Sequence, residues 1–403
     1  MKTHHLIALL AGTLLAARAA DPESPLIVHE WGTFTSVQGG DGVLLPWYSP
    51  QVGELPEFVH DWSKPGANRA TPLALSFGKG GLRATQRMET PVIYFYSDAG
   101  FATDVTVRFP QGVITEWFPQ ANEIGGARGT NGLRDGVIRW LDVRVLPPDS
   151  TRASARRLPA SDRGNHYFAA RETDSAVLRT ASQSQAHPVD EYEKFLFYRG
   201  AGDFAAPLKV TVGSDGVLSV ANSGDEPLRH LFLLDVHDGA GRWAYLEALP
   251  PGQSHSWKQL DSFANSLAAP MELFATQIGE AKTSALEREG LFKREAAAMV
   301  ATWRKSWFTE EGVRVLYVLP RRWTEAILPL EIQPAPTELV RVMVGRAEVI
   351  TPATQRKLAT LIPQSNQGDA TAQAQLQETA RRLGRFYNPA YQLGNLAAKQ
   401  STD

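Results

Sequence analysis

The sequence predicts a mainly β protein, with antiparallel β-sandwich domains followed by a C-terminal mixed α/β or helical domain. Two observations carry this fold class. Short runs rich in β-branched and aromatic residues, each bounded by Gly, Pro, Asn or Asp, recur up to about residue 258. Beyond Asp261 the apolar residues change to the spacing of an amphipathic helix.

The length of 403 residues exceeds one hydrophobic core, since domains average roughly 150 residues. We therefore expect several units along the chain. They are a signal peptide at 1–19, a β-rich domain at 26–200 containing a long loop at 36–87, a β-sandwich unit at 201–262, and a C-terminal α/β domain at 263–403.

The first 19 residues have the pattern of a secretory signal. Lys2 precedes an apolar run from Leu6 to Ala16, and Ala17-Arg18-Ala19 forms a small-x-small cleavage site. The run is too short for a permanent span, and no later stretch approaches the roughly 20 apolar residues of a transmembrane helix. We expect an exported protein, periplasmic or secreted, whose mature chain has no transmembrane helix.

Composition excludes several classes of protein. There is no cysteine, which rules out disulfides, zinc–thiolate sites and thiol nucleophiles. Cleavage after Ala19 removes Lys2 and Arg18 from the 41 basic residues, which leaves 39 against 43 acidic ones and a formal charge of −4. A nucleic-acid-binding protein normally has a clustered basic excess, so this class is not expected.

The predicted strands of the N-terminal half follow one another at short intervals. They are TPVIYFYS (90–97), TDVTVRFP (103–110), GVITEWFP (112–119), GVIRWLDVRVLP (136–147) and EKFLFYRG (193–200). The loop at 36–87 contains many Gly and Pro residues and little periodicity, and a loop of this length is usually functional or disordered.

A hairpin is the clearest local unit of the 201–262 segment. Two alternating strands flank Ser214-Asp215-Gly216, a favourable hairpin turn, and two further strands follow at similar spacing. This arrangement is typical of an antiparallel sandwich.

The C-terminal segment combines helices and strands. One helical face contains Phe292, Ala296, Met299, Val300, Trp303 and Trp307. Ser284 and Glu287 have the spacing of a capping box, so we expect this helix to begin there. Strands at 313–320 and 338–345, a helix from Thr351-Pro352, and a last helix at about 369–386 follow.

A strand near the mature N-terminus, LIVHEWGTFTSV (26–37), suggests where to look for a site. Because neighbouring strand residues point to opposite faces, Glu30 shares one face with Leu26, Val28 and Phe34, and His29 shares the other with Ile27, Trp31 and Thr33. A carboxylate on an apolar face is costly unless it is paired or hydrogen-bonded. Glu30 therefore requires a partner.

Three other strands place a carboxylate at a position where alternation asks for an apolar residue. These are Glu89 in RMETPVIYFY, Glu116 in GVITEWFP and Glu193 in EKFLFYRG. Arginine partners for the four acids are available from Arg87, Arg108 and Arg199. Structural ion pairs that close strand ends or brace the long loop explain this pattern without any chemistry.

Two functional interpretations compete with structural pairing. In the first, the four acids share one pocket, and two of them serve as proton donor and base in glycoside cleavage. The catalytic candidates are Glu30, Glu89 and Glu116. In the second, His29 or His60 binds a metal ion together with these carboxylates. Trp-Gly-Thr follows His29-Glu30, so the helical HExxH motif is absent.

Aromatic and basic residues suggest a ligand groove. Trp31, Trp62 and Trp117 would form a stacking platform for a sugar or another planar ligand, with Arg87 and Arg199 beside it, although core packing is the usual role of tryptophan. The glycine-rich run SFGKGGLR (76–83) lacks P-loop spacing, and no Gly-x-Ser-x-Gly elbow occurs. The sequence thus names no cofactor.

Several blocks of the chain resemble a family of exported bacterial proteins to which no activity is assigned. The blocks are HEWGTFTSV, RMETPVIYFY, VRFPQGVITEWFPQA, EKFLFYRG, EGVRVLYVLPRRW and LVRVMVGRAEVITP, which are spread over most of the mature chain. The resemblance implies one exported unit and brings no catalytic residues with it.

The sequence leaves three functions open. The first is an exported protein that binds an extracytoplasmic ligand, such as a glycan or another envelope component. The second is a secreted hydrolase that uses paired carboxylates or a bound metal ion. The third is an envelope scaffold, which predicts a wide apolar surface patch.

Overall fold

The computed structural model describes residues 25–48, 55–61, 82–129, 132–162, 164–181, 189–257 and 268–400. The expected signal peptide and much of the predicted loop at 36–87 lie outside these ranges. Within them, no helix combines the length and the apolar character that crossing a membrane requires.

An 11-stranded sheet forms the centre of the fold. In spatial order it contains β19 (Ala269–Pro270), β17 (Ala240–Leu249), β16 (Leu228–His237), β20 (Gly312–Val318), β22 (Glu338–Ile350), β1 (Ile27–Gly39), β6 (Gln86–Tyr96), β13 (Leu196–Gly202), β8 (Gly112–Phe118) and β4 (His60–Asp61), with β2 (Leu44–Leu45) beside β1. Neighbouring strands are antiparallel except for β1 and β22. The predicted segments 26–200, 201–262 and 263–403 all contribute strands to this sheet.

Three smaller sheets complete the described β structure. The six-stranded sheet contains β12 (Asp190–Glu193), β11 (Leu178–Ala181), β10 (Gly132–Val145), β7 (Phe101–Phe109) and β21 (Leu330–Gln333), with β9 (Glu123–Gly129) beside β10. The three-stranded sheet contains β14 (Leu208–Val212), β15 (Leu218–Asn222) and β18 (Ser254–Trp257), and the two-stranded one contains β3 (Trp47–Tyr48) and β5 (Arg83–Ala84).

Most of the described helices follow the hairpin region. The α-helices are α1 (Pro148–Ser154), α2 (Met271–Arg288), α3 (Lys293–Arg304), α4 (Arg321–Ile327), α5 (Pro352–Asn366), α6 (Ala370–Leu383) and α7 (Tyr387–Gln400). Short 3-10 helices lie at Ala155–Arg157, His166–Arg171 and Gly384–Phe386, and a π-helix at Lys305–Thr309 continues α3.

Both faces of the central sheet are buried. One face packs on the six-stranded and three-stranded sheets through residues such as Val28, Phe95 and Trp140. The other packs on α2 and α3 through residues such as Trp31 and Trp303. The result is a β-sandwich with a helical layer, which confirms the predicted fold class.

Burial on both faces explains the composition of β1. Even-numbered residues from Val28 point into the sandwich, and odd-numbered residues point towards the helices, so every position from Val28 to Gly39 is buried. Gly32 is required by a close approach, since a Cβ there would lie 2.9 Å from Pro91 Cα. At this point β6 bulges, with Thr90 at φ 50°.

The predicted start of the amphipathic helix is wrong. Ser284 and Glu287 lie inside α2, and α3 begins at Lys293 instead. The Glu295 carboxylate accepts a hydrogen bond from the Phe292 backbone N–H at 2.9 Å, which satisfies one of the free amide donors at this helix start. The local spacing of Ser and Glu therefore misplaced the boundary by about two helical turns.

Candidate functional site

Glu30 lies within the sandwich, on the face away from the helices. Its carboxylate accepts a hydrogen bond from Arg341 Nε at 2.6 Å and another from the Tyr198 hydroxyl. Burial raises the pKa of Tyr198 well above 10, and the adjacent Glu30 charge raises it further, so the hydroxyl remains a donor. Glu30 is fully buried and completely paired, which is the geometry of a structural ion pair.

Two bulges turn Glu89 and Glu116 onto the helix-covered face. In β6 the bulge at Thr90 separates Glu89 from the face of Ile93 and Phe95, where strict alternation had placed it. In β8 an extra residue at Thr115 likewise places Glu116 on the opposite face from Ile114. The structure thus brings Glu89 and Glu116 to one side of the sheet and Glu30 to the other.

Glu89 is a buried carboxylate held between two donors. The Arg385 guanidinium contacts one oxygen, and the Thr35 hydroxyl donates to the other at 2.6 Å. Burial opposes ionisation, but Arg385, Thr35, Arg199 and Arg87 together outweigh it and lower the pKa of Glu89 to about 2. Glu89 is therefore a permanent anion near neutral pH.

Arg87 and Arg199 lie beside these two acids. Arg87 Nη2 is 3.4 Å from a Glu116 oxygen, and the Thr115 hydroxyl donates to the same carboxylate. Strand pairing places Arg199 opposite Glu116. Two predicted ligand-binding arginines and two predicted catalytic acids thus form one charged cluster on adjacent strands.

Each predicted metal-binding histidine contacts a carboxylate other than the four that were predicted to join it. His29 on β1 contacts Glu295 at 2.6 Å, and His60 on β4 contacts Glu191 at 3.0 Å. Four strand spacings separate β1 from β4, or roughly 19 Å at about 4.8 Å per spacing. Among the described residues, no group of three or more metal-ligating side chains is close enough to hold an ion.

The two described tryptophans of the predicted platform, Trp31 and Trp117, do not form an exposed surface. Trp31 and Trp117 are 0% and 1% exposed and belong to the two opposite cores of the central sheet. Trp62 lies outside the described residues. Stacking of a ligand on Trp31 or Trp117 would require the core to open.

A cavity of about 1060 Å³ lies between the central sheet, the 3-10 helix His166–Arg171 and the π-helix. Its lining combines charged, polar and aromatic side chains. The lining includes Glu89, His166, Phe168, Arg171, Arg199, Trp303, Lys305, Ser306, Glu310 and Arg385. Of the residues predicted from sequence, Glu89 and Arg199 are in this cavity.

The π-helix builds one wall of the cavity. Short π-helical segments occur frequently at functional sites because they change the direction of side chains along a helix. Here the segment is held by Arg346, which donates to the Ser306 carbonyl at 2.9 Å and to the Glu310 carboxylate at 2.8 Å. Arg314 donates to the Trp307 carbonyl at 2.9 Å. Buried guanidiniums thus fix this wall from behind.

Arg385 bridges the two sides of the cavity. It contacts Glu89 on the sheet, and its Nη2 donates to the Ser306 hydroxyl at 3.0 Å on the π-helix. Its Nε lies 3.8 Å from Glu310. Because Glu89 and Ser306 belong to separate elements, the position of Arg385 depends on both the central sheet and the π-helix.

His166 and Arg199 form the most unusual pair in the lining. Arg199 Nη2 lies 3.3 Å from His166 Nε2, and the His166 ring packs on Trp303 with centroids 6.1 Å apart. Burial, and then the positive charge of Arg199, lower the pKa of His166 to about 4. His166 is therefore neutral near pH 7.

Sequence patterns missed most of this site. His166 and Arg171 follow a polar stretch without periodicity, and Arg385 lies at the end of a predicted amphipathic helix. Lys305 and Ser306 fall on the polar side of the predicted helix, where they carry no distinctive signal. Of the residues predicted from sequence, Glu89, an acid in an apolar strand, and Arg199 pointed to this cavity.

Comparisons with known proteins add no functional information. No family model and no curated protein sequence matches the chain. Similar solved structures include the yeast delta-COP-I mu-homology domain complexed with a Dsl1 WxWxV peptide, with 6% identity, a TM-score of 0.28, and coverage of 82% of this chain and 100% of that chain. The yeast domain alone has 7% identity with the same TM-score and coverage. Values this low carry no argument.

Proposed function

We propose that the protein is exported and binds an acidic ligand, such as an acidic glycan or another anionic envelope component, in the cavity of about 1060 Å³. The observation that carries this proposal is the excess of cations in the lining. The five cations are Arg171, Arg199, Arg304, Lys305 and Arg385, and the four carboxylates are Glu89, Asp162, Glu172 and Glu310. The volume lies just above the range typical of pockets that hold small organic ligands, about 300–1000 Å³, so the cavity has room for such a ligand.

The charges in the lining favour an anion. The buried Glu89 already pairs with Arg385, and the half-buried Glu310 already pairs with Arg346. Lys305 is exposed, and among the residues that the structure describes no carboxylate lies within ion-pair distance of its ammonium group. Its charge is therefore available to a ligand that enters from solvent.

Two acids at the rim oppose this charge only weakly. Asp162 and Glu172 line the cavity but are exposed, so water and salt screen them. Phe168 and Trp303 supply apolar surface in the same cavity, as aromatic side chains do in sites that bind sugar rings. A charged sugar thus suits the lining better than a neutral or cationic ligand.

A hydrolase with paired carboxylates receives less support. Such an enzyme needs one protonated acid facing a second carboxyl group at roughly 5–10 Å. Glu89 has a pKa of about 2 and does not retain a proton near pH 7, and Glu30 lies on the opposite face of the sheet. The cavity therefore favours binding over acid–base cleavage.

Calorimetric titration of the mature protein with glucuronate, glucose 6-sulfate and glucose tests the proposal. We expect binding of the acidic sugars and none of glucose. Lys305→Ala should weaken acidic-sugar binding about 5- to 10-fold, the effect of losing about 1 kcal/mol of charge attraction. Lys357→Ala, at an exposed position on α5, is the matched control and should not change the affinity.

Three results would refute the binding proposal: no acidic sugar binds, glucose binds equally well, or the two lysine variants behave alike. Export is tested separately. Expression of the full chain in a Gram-negative host should yield periplasmic protein beginning at Ala20, and removal of residues 1–19 should leave it in the cytoplasm.

A further inference from the structure

The contact between Arg199 and His166 defines the protonation of the imidazole. A guanidinium carries only donors and does not lose its proton in proteins. At 3.3 Å from Arg199 Nη2, His166 Nε2 must therefore accept, which places the ring proton on Nδ1. The cavity wall thus contains a neutral histidine against a fixed cation.

Charged groups surround His166 from every element that packs against it. Arg199 projects from β13, Lys305 from the π-helix and Arg385 from the 3-10 helix Gly384–Phe386. Among the charges that most affect the pKa of His166, the one acid is Glu89 on β6. The remaining charged groups of the lining are Asp162, Arg171, Glu172, Arg304 and Glu310. Burial, and then three nearby cations against one anion, lower the pKa of His166 and keep the imidazole neutral.

An anion beside Arg199 would reverse this balance. It would attract the guanidinium as a hydrogen-bond donor and favour the charged form of the neighbouring imidazole. Protonated His166 then has donors on both ring nitrogens. Arg199, whose charge suppresses protonation of His166 without a bound anion, would then donate to the same ligand group as the protonated imidazole.

The positions of the donors suggest the shape of that group. Arg199 lies on β13, His166 lies on the 3-10 helix His166–Arg171, and Lys305 and Ser306 lie on the π-helix. A planar carboxylate matches one guanidinium fork, whereas the oxygens of a tetrahedral oxyanion point in several directions and accept from several elements.

We propose that the cavity binds a tetrahedral oxyanion group, a sulfate or phosphate ester, and that His166 takes up one proton from solvent when the group binds beside both His166 and Arg199. The inference rests on the proposed function, since it names the charged group of the acidic ligand. It makes binding proton-coupled, with higher affinity at lower pH.

Inorganic sulfate is the probe for this inference because it remains a dianion between pH 4.5 and 8. Calorimetric titration of the mature protein across this range should give an affinity that falls as pH rises, approaching tenfold per pH unit where the free site is neutral and the bound site protonated. Titration at pH 5.5 in two buffers of different ionisation enthalpy should show net proton uptake.

His166→Gln is the matched variant. It should bind sulfate with an affinity that does not change with pH and with no proton uptake. A measurement on the unmodified protein covers the case of a misfolded variant: the pKa of His166, followed by nuclear magnetic resonance, should rise from about 4 by at least one unit in saturating sulfate. Glucose 6-sulfate and glucose 6-phosphate at pH 5.5 then separate the two ester classes.

The outcomes distinguish this inference from the proposed function. Sulfate binding that is independent of pH, or an unchanged pH slope in His166→Gln, would overturn the proton uptake and leave the acidic-ligand site standing. Binding of glucuronate without any binding of sulfate would overturn the tetrahedral preference alone. Failure of every acidic probe would overturn the proposed function as well.

Discussion

The Arg385 guanidinium contacts the Glu89 carboxylate although 296 residues separate them in the chain. The contact joins the 3-10 helix near the C-terminus to β6 and brings the π-helix into the same network through Ser306. The cavity wall is thus assembled from segments that meet only in the completed fold.

Loss of the Glu89 charge should destabilise the protein in a pH-dependent way. The pKa of Glu89 is about 2 in the folded state and near 4.5 when unfolded, so the unfolded chain binds more protons between these values. Its contribution, about 3 kcal/mol, is complete above pH 4.5 and is lost as pH falls towards 2. In urea unfolding, the difference in free energy of unfolding between the wild type and Glu89→Gln should shrink by roughly half from pH 7 to pH 3.

The control for this experiment is Glu378→Gln, which removes an exposed pair with Arg381. Its unfolding midpoint should match that of the wild type at both pH values, because exposed pairs contribute little. A difference in free energy of unfolding between the wild type and Glu89→Gln that stays constant from pH 7 to pH 3 would contradict the assigned pKa.

The Glu30–Arg341 pair should behave as a buried unit. Glu30→Met or Arg341→Met alone leaves one buried charge without its partner and should lower the free energy of unfolding by about 3–5 kcal/mol. The double variant should lose clearly less than the sum of the two, because it leaves neither charge behind. Urea unfolding of the four proteins measures this coupling, and additive losses would show that the pair is not coupled.

Lys282 should be a source of instability near neutral pH. The side chain is fully buried, with Nζ 5.0 Å from the Phe232 ring centroid and 5.8 Å from that of Trp307. Burial lowers the pKa of Lys282 to about 7, against 10.5 in the unfolded chain. The unfolded state therefore binds more protons between pH 7 and 10.5, and wild-type stability should rise with pH across that window.

Lys282→Met removes this cost. We expect it to raise the free energy of unfolding at pH 7 by about 4 kcal/mol, minus the stabilisation that the two lost cation–π contacts supplied, and to abolish the rise between pH 7 and 10. Lys357→Met on the exposed face of α5 should retain the wild-type pH slope. Equal slopes in the wild type and Lys282→Met would contradict the assignment.

Gly32→Ala should disturb the point where β1 meets the β6 bulge. The added methyl would lie 2.9 Å from Pro91 Cα and 3.1 Å from Met343 Sδ, and the former is backbone that cannot move aside. We expect a loss of about 1–3 kcal/mol in urea unfolding. Gly100→Ala, whose nearest contact is 3.4 Å, is the control; equal effects of the two changes would refute the close-approach explanation.

Local pattern predicted what depends on local geometry. The strand period placed His29 and Glu30 on opposite faces, and the structure has them so, with Glu30 bound by Arg341 and His29 by Glu295. The need of Glu30 for a partner was also predictable, because a buried unpaired carboxylate is too costly. The sheet and the helical C-terminal part follow from the same periodicities.

Long-range pairing and bulges were not predictable in this way. Arg341 reaches Glu30 because β22 pairs with β1 in parallel, some 311 residues along the chain. A single extra residue at Thr90 reverses the face of Glu89, and alternation cannot reveal it. The cavity was missed for both reasons, since its lining comes from five separated segments.

The central claim is that Arg199, His166 and Lys305 surround the place where an acidic group binds. A crystal structure of the mature protein with selenate, a tetrahedral dianion with an anomalous signal, tests it most directly. Our account predicts an anomalous peak within hydrogen-bond distance of Arg199 and His166 that disappears in Arg199→Gln. Selenate bound only outside the cavity, or an undiminished peak in that variant, would contradict it.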